Sequence, residues 1–178
     1  MKSKITFLLT LFWMMGINRS IGQSHHSLII NEIMADPSPV VQLPLYEWVE
    51  IKNNSKELIQ LLGWKLVAGN SVSSPFPSYF LSPDSLLIVC SSSAAILLKN
   101  YGSTIGLSSF PALNNEGETL SLRAPNGKTI HAVTYSPTWY GVSWKKEGGW
   151  SLELIDKTAA CWATDNWTAS VDSKGGSP

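Results

Sequence analysis

From Leu28 onward the chain alternates apolar and polar positions with a period of two, and Pro, Gly, Asn and Ser break the alternation at intervals. Successive side chains of a strand point to opposite faces, so this pattern predicts short β-strands joined by turns. Strands are predicted over Leu28–Met34, Tyr46–Asn53, Gly63–Val67, Ser78–Leu81, Leu86–Ser91, Thr119–Arg123, Thr129–Tyr135 and Trp150–Ile155. Turn chemistry lies between them in Asp36-Pro37-Ser38-Pro39, Asn53-Asn54-Ser55, Ser82-Pro83-Asp84 and Pro125-Asn126-Gly127. Ser93–Asn100 is the one helical candidate, about two turns long and too short to set the architecture. Seven or eight such strands predict an all-β fold, an antiparallel sandwich or barrel with one short helix.

The same alternation sorts faces. In the second strand Val49 and Ile51 share one side, while Trp48, Glu50 and Lys52 share the other. Leu120 and Leu122 point inward with Thr119, Ser121 and Arg123 outward. Leu86 to Cys90 is apolar on both faces, as in a central strand covered on both sides. Trp64 and Trp150, each within an alternating strand, are the expected anchors of the core.

Residues 1–22 lack this pattern and read as a secretory signal peptide. Lys2 and Lys4 precede an apolar run from Ile5 to Ile17, and Ser20-Ile21-Gly22 supplies small residues before a cut at Gln23. Asn18-Arg19 closes the run well short of the ~20 apolar residues that span a bilayer, and no later stretch is long enough. Residues 23–27 then form a mobile mature N-terminus, and 28–178 form the domain. The expected address is secreted, periplasmic or outer cell surface.

Export changes the charge. The full chain carries 13 basic and 13 acidic residues, but a cut after Gly22 removes Lys2, Lys4 and Arg19 and leaves the mature chain near −3. Nucleic acid is therefore an unfavoured partner, because phosphate-backbone binding needs a cationic surplus. An oxidising compartment also permits a Cys90–Cys161 disulfide, with two separate buried thiols as the alternative.

Several segments together resemble the lamin tail domain, an immunoglobulin-like module. They are Asn31-Glu32-Ile33, then Glu47-Trp48-Val49-Glu50-Ile51-Lys52-Asn53-Asn54-Ser55, Leu62-Gly63-Trp64-Lys65-Leu66, Leu81-Ser82-Pro83-Asp84-Ser85 and Leu87-Ile88-Val89. Later segments are closer to the secreted bacterial branch seen in Bacteroidota. These are Leu113-Asn114-Asn115-Glu116-Gly117-Glu118, Gly149-Trp150-Ser151-Leu152-Glu153, Asn166-Trp167 and Gly175-Gly176-Ser177-Pro178. The resemblance implies an immunoglobulin-like antiparallel β-sandwich with no catalysis of its own, belonging to a larger multidomain surface protein and binding a protein or glycan.

Three groups of residues bear on chemistry. Glu32, Asp36 and Glu50, with Glu47 nearby, could offer oxygens to a hard cation such as Ca²⁺ or to a metal-dependent hydrolase. Their spacing matches no calcium loop, and the competing expectation is solvated carboxylates on an exposed strand face and in a turn. Trp139, Tyr140 and Trp144 follow a strand in a loop and could stack on a sugar or grip a peptide; the alternative is that they close the end of the sandwich. His131 shares a face with Val133 and Tyr135 and reads as a hydrogen-bonded core residue. Nucleophile logic finds no foothold: Gly141-Val142-Ser143-Trp144-Lys145 lacks the closing glycine of a nucleophile elbow.

Overall fold

The computed structural model of the chain describes residues 24–159 and 165–178. The leader predicted over 1–22, Cys161 and Trp162 lie outside the described residues. The strands are β1 (Leu28–Met34), β2 (Trp48–Asn53), β3 (Ile59–Gln60), β4 (Lys65–Ala68), β5 (Ser71–Val72), β6 (Phe80–Leu81), β7 (Leu86–Ser91), β8 (Thr104–Leu107), β9 (Thr119–Arg123), β10 (Thr129–Thr134), β11 (Leu152–Leu154) and β12 (Trp167–Ala169). Helix α1 (Ser92–Leu98) joins β7 to β8, a 3₁₀ turn occupies Pro137–Tyr140, and a single-turn helix α2 (Ser143–Lys146) follows it. Three sheets result: β12-β11-β1-β2-β7-β8, β10-β9-β4-β5 and the small pair β3-β6. The fold is an all-β, immunoglobulin-like sandwich.

Register explains the core. Across the six-stranded sheet, Ala169, Leu152, Ile33, Val49, Val89 and Ile105 stand in one row, and all six face inward. The facing sheet supplies the rows Val133–Leu120–Ala68 and His131–Leu122–Leu66. Trp64 and Phe76 fill the space beside them, both essentially inaccessible. Burying a side chain of this size contributes about 1.5–3 kcal/mol, so these rows supply most of what holds the sheets together.

The outer face of the six-stranded sheet is covered too. Met34, Trp48 and Cys90 form the adjacent row on that side, and with Ile88 they pack against Leu43 and against Ala94 and Leu98 of α1. Ser91 caps α1 by accepting a hydrogen bond from the Ala94 amide at 3.2 Å. The outward parity of Trp48 was legible in the sequence, but its complete burial was not, because parity does not reveal what covers a face.

Several expectations are corrected. The described residues hold twelve strands, and the additional ones are mostly two to four residues long, too short to show periodicity. Strand β8 runs parallel to β7 through the α1 crossover, so the sandwich is not antiparallel throughout. There are two helices where one was expected; α2 has no side-chain cap and takes its place after a turn that Pro137 starts and Gly141 ends in the left-handed region. Trp64 is the buried anchor, whereas Trp150 is half-buried at the edge of the core.

One bond ties the two large sheets through their core. Strand β1 meets β11 only at Glu32 and Ile33, which leaves the Ile30 amide beyond the reach of that neighbour. His131, 2 % exposed, accepts a hydrogen bond from this amide at Nδ1 over 3.2 Å. His131→Leu keeps an apolar side chain in the site but leaves the amide buried without that acceptor. Urea denaturation is expected to show a loss of about 1–3 kcal/mol; an unchanged midpoint and slope would mean that the bond contributes nothing to holding the sheets.

Candidate functional site

A β-bulge sets the most unusual feature of the molecule. The register of β1 on β2 slips between Ile30 and Glu32, so Asn31 is an extra residue and both Asn31 and Glu32 turn to the outer face. Glu32 then stands directly between Glu50 of β2 and Glu153 of β11. Three carboxyl groups thus occupy neighbouring positions on three adjacent strands, an arrangement that repels when ionised.

Two of the three are buried, Glu32 at 1 % exposure and Glu50 at 2 %. The C-terminal segment covers Glu32. The Ser151 amide donates to Gly175 O at 2.8 Å, and the Gln42 amide donates to Lys174 O, so residues 174–177 are laid across the row as a strap. Beneath it, Glu32 Oε1 accepts from Ser151 Oγ at 2.5 Å and from the Ser177 amide at 2.9 Å. Ser177 Oγ also donates to Glu153 at 3.0 Å, and Asn31 Nδ2 donates to Glu50 Oε1 at 2.7 Å. The strap needs glycine twice. Gly175 has φ +95, and a Cβ on Gly176 would stand 2.9 Å from Glu32 Oε1.

Burial raises the Glu32 carboxyl to about 8; hydrogen bonds from Ser151 and Ser177 oppose this, and the charges of Glu153 and Glu50 add to it. Burial likewise raises Glu50 to about 7, opposed by the bond from Asn31 and the charge of Lys157. Glu32 and Glu50 are therefore neither the solvated carboxylates nor the open ligand set expected from the sequence. Among the described residues no group of three or more His, Cys, Asp or Glu is arranged to hold a metal ion. Asp36, the third member of the sequence-derived set, lies elsewhere, at the loop end of the sandwich.

That loop end forms a separate concavity of about 470 Å³, whose lining includes Ala35, Asp36, Tyr46, Glu47, Phe110 and Ala112. Asp36 is fixed just past β1 by accepting from the Ser38 amide at 3.1 Å, while its own carbonyl accepts from Gly149. Glu47 immediately precedes β2, and its Oε2 accepts from the Leu113 amide at 3.1 Å. Burial raises the Glu47 carboxyl; the Leu113 bond opposes this, and the charges of Glu118 and Asp36 add to it. Asp36 and Glu47 have aromatic neighbours in Tyr46, which was expected to begin the second strand but lies two residues before β2, and Phe110, from a loop with no periodic signal.

The aromatic group divides. Tyr140 is buried, and its hydroxyl donates to Trp150 O at 3.1 Å. Trp139 stacks on Trp167 with ring centroids 5.8 Å apart. Trp144 is 59 % exposed and meets Trp150 edge-on, with Lys145 Nζ over both rings and donating to Ser170 O. Of the three rings singled out in the sequence, Trp144 presents an open face to solvent. Cys90 is buried, its thiol raised by burial to about 12; its suggested partner Cys161 is outside the described residues. Among the described residues no helix is long and apolar enough to cross a membrane.

A model of the Lamin Tail Domain family matches residues 22–137. No curated protein matches the chain. The family match ends before β11, so Ser151, Glu153 and the Gly175-Gly176-Ser177-Pro178 strap lie beyond it.

The raised Glu32 and Glu50 carboxyls dictate how stability varies with pH. Below about 4.5 folded and unfolded chains both carry these protons. Above that the unfolded chain loses them while the folded protein keeps them, so stability falls as pH rises until about 7 for Glu50 and about 8 for Glu32. Urea midpoints measured from pH 5 to 8 are expected to decline, and Glu32→Gln to flatten the decline. A midpoint that rises across this window in the unsubstituted protein would contradict the assignment.

Proposed function

The chain belongs to the lamin tail domain family, and on that premise we propose that it is a noncatalytic module of the secreted bacterial branch. It acts in the periplasm or at the outer cell surface, as part of a larger multidomain protein. Its role is adhesive, adaptor or structural, exerted by binding a surface protein. The observation that carries the noncatalytic reading is the enclosure of Glu32 and Glu50. A carboxylate that activates water or holds a catalytic metal must reach substrate. Glu50 is spent on Asn31, and Glu32 on Ser151 and Ser177 beneath the strap.

Binding agrees with the remaining architecture. Loops from several strands gather at one end on a rigid two-sheet frame, which is how sandwich folds present contact surfaces. A second reading, a carbohydrate-binding accessory module, draws on one observation: Trp144 is exposed, with Trp150 perpendicular to it and Lys145 Nζ over its ring. Flat exposed rings of this kind stack on sugar faces.

One set of assays tests these readings together. Peptide, ester and phosphodiester substrates offered with Ca²⁺ or Mg²⁺ are expected to give no turnover that depends on Glu32 or Glu50. Metal-dependent turnover that purifies with the protein and disappears in Glu50→Gln would overturn the noncatalytic reading. On a glycan array the leading reading expects no saturable signal, whereas saturable binding lost in Trp144→Ala would establish the carbohydrate alternative in its place.

A further inference from the structure

We propose that the concavity at the loop end of the sandwich is a binding site for a lysine or arginine side chain carried on an extended segment of a partner protein. The inference rests on the binding-module reading and names the chemistry of the partner. Charge complementarity carries it. Asp36 and Glu47 present two carboxyl groups to one cavity, and each has one oxygen pinned by a backbone amide, Ser38 and Leu113 respectively. The other oxygen of each has no donor among the described residues. Lys52–Asp84 is the one ion pair among the described residues, and it lies elsewhere. The charges that bear on Glu47 are those of Glu118 and Asp36, both negative. Glu118 is committed to its own loop, where it accepts from the Asn114 amide at 2.8 Å.

Size and wall chemistry select an organic cation over a metal ion. A volume of about 470 Å³ lies within the roughly 300–1,000 Å³ of small-ligand pockets, far more than an ion needs. Tyr46 and Phe110, both half-buried, supply aromatic surface beside the carboxyls, and Ala35 and Ala112 supply aliphatic surface. A long apolar stem ending in a cationic head matches this combination: the stem packs on the apolar wall, and the head meets the carboxylates. The carboxyls are also pre-positioned, since the amides of Ser38 and Leu113 hold them in the ligand-free protein. Less ordering is then required on binding.

The test is an NMR titration of the ¹⁵N-labelled protein with N-acetyl-arginine amide and N-acetyl-lysine amide. N-acetyl-norleucine amide serves as the neutral control and calcium chloride as the metal control. The two cationic probes are expected to give saturable shifts at Asp36, Tyr46, Glu47 and Phe110, and the norleucine probe none. Glu47→Gln and Asp36→Asn each retain a carbonyl oxygen for the Leu113 or Ser38 amide and are expected to weaken binding about tenfold or more, the equivalent of one lost charge-assisted contact. Ala112→Trp, from an exposed position on the rim, is expected to fill the cavity and abolish the shifts; it keeps the proposal testable if Glu47→Gln does not fold. Absence of saturable shifts at tens of millimolar probe, equal response to norleucine, or the same shifts produced by calcium alone would each overturn the proposal. Glu50→Gln is expected to bind the cationic probes as the unsubstituted protein does, so a failure of the noncatalytic reading and a failure of this site would be seen separately.

Discussion

A sheet covered on both faces takes water away from the polar side chains it carries, and here the largest cost falls on the row Glu153–Glu32–Glu50. The bulge at Asn31 turns Glu32 out of the main core, but the outer face is already occupied by α1, by Leu43 and by the C-terminal strap. Nothing there has the polarity of water, so Glu32 and Glu50 are held above the usual carboxylate range and need dedicated donors. Ser151 and Ser177 serve Glu32, and Asn31 serves Glu50. The strap follows as a requirement, and with it Gly176, whose lack of a side chain lets backbone approach the Glu32 carboxyl, and Gly175, which turns against the Gly149 carbonyl.

The two groups of acids show one residue type under opposite treatment. At the sheet face, Glu32 and Glu50 are sealed and their donors come from the chain itself. At the loop end, Asp36 and Glu47 are each half-held by a backbone amide and half-turned toward a cavity. Desolvation and two negative neighbours raise the Glu47 carboxyl as they raise Glu32, but Glu47 is opposed by one donor, Leu113, where Glu32 has Ser151 and Ser177. A half-buried group with one internal donor is a natural point of contact with an opposite charge from outside.

Much of the sandwich was legible in the sequence because half-covered strands write their faces into alternation. Leu28–Met34, Leu86–Ser91 and Thr119–Arg123 match β1, β7 and β9 residue for residue. The doubly apolar run from Leu86 to Cys90 marked a strand covered on both sides, and β7 is that strand. Elements of two residues, such as β3 and β5, carry no period to read. The larger misreading concerned Glu32, Asp36 and Glu50. Counting in twos fails across a bulge, and Asn31 is the residue at which the count breaks. Glu153 stood in plain alternation between Leu152 and Leu154, yet its place beside Glu32 depends on a pairing across the chain that spacing alone does not give. Ser177, in a Gly-Ser-Pro tail, carried no signal of its role.

The strap also fixes an order of events. Ser177 closes over Glu32 across 145 positions of sequence, so the second strand partner of β1 and its polar cover are made long after β1 itself. Until then β1, paired with β2 on one side, has one open edge. Pairings so distant in sequence make for slow folding, because the loop must be closed before the contact rewards it. During that wait an ionised Glu32 is an asset: its charge opposes edge-to-edge association of unfinished chains. The carboxyl that burdens the finished sheet is thereby a guard for the unfinished one.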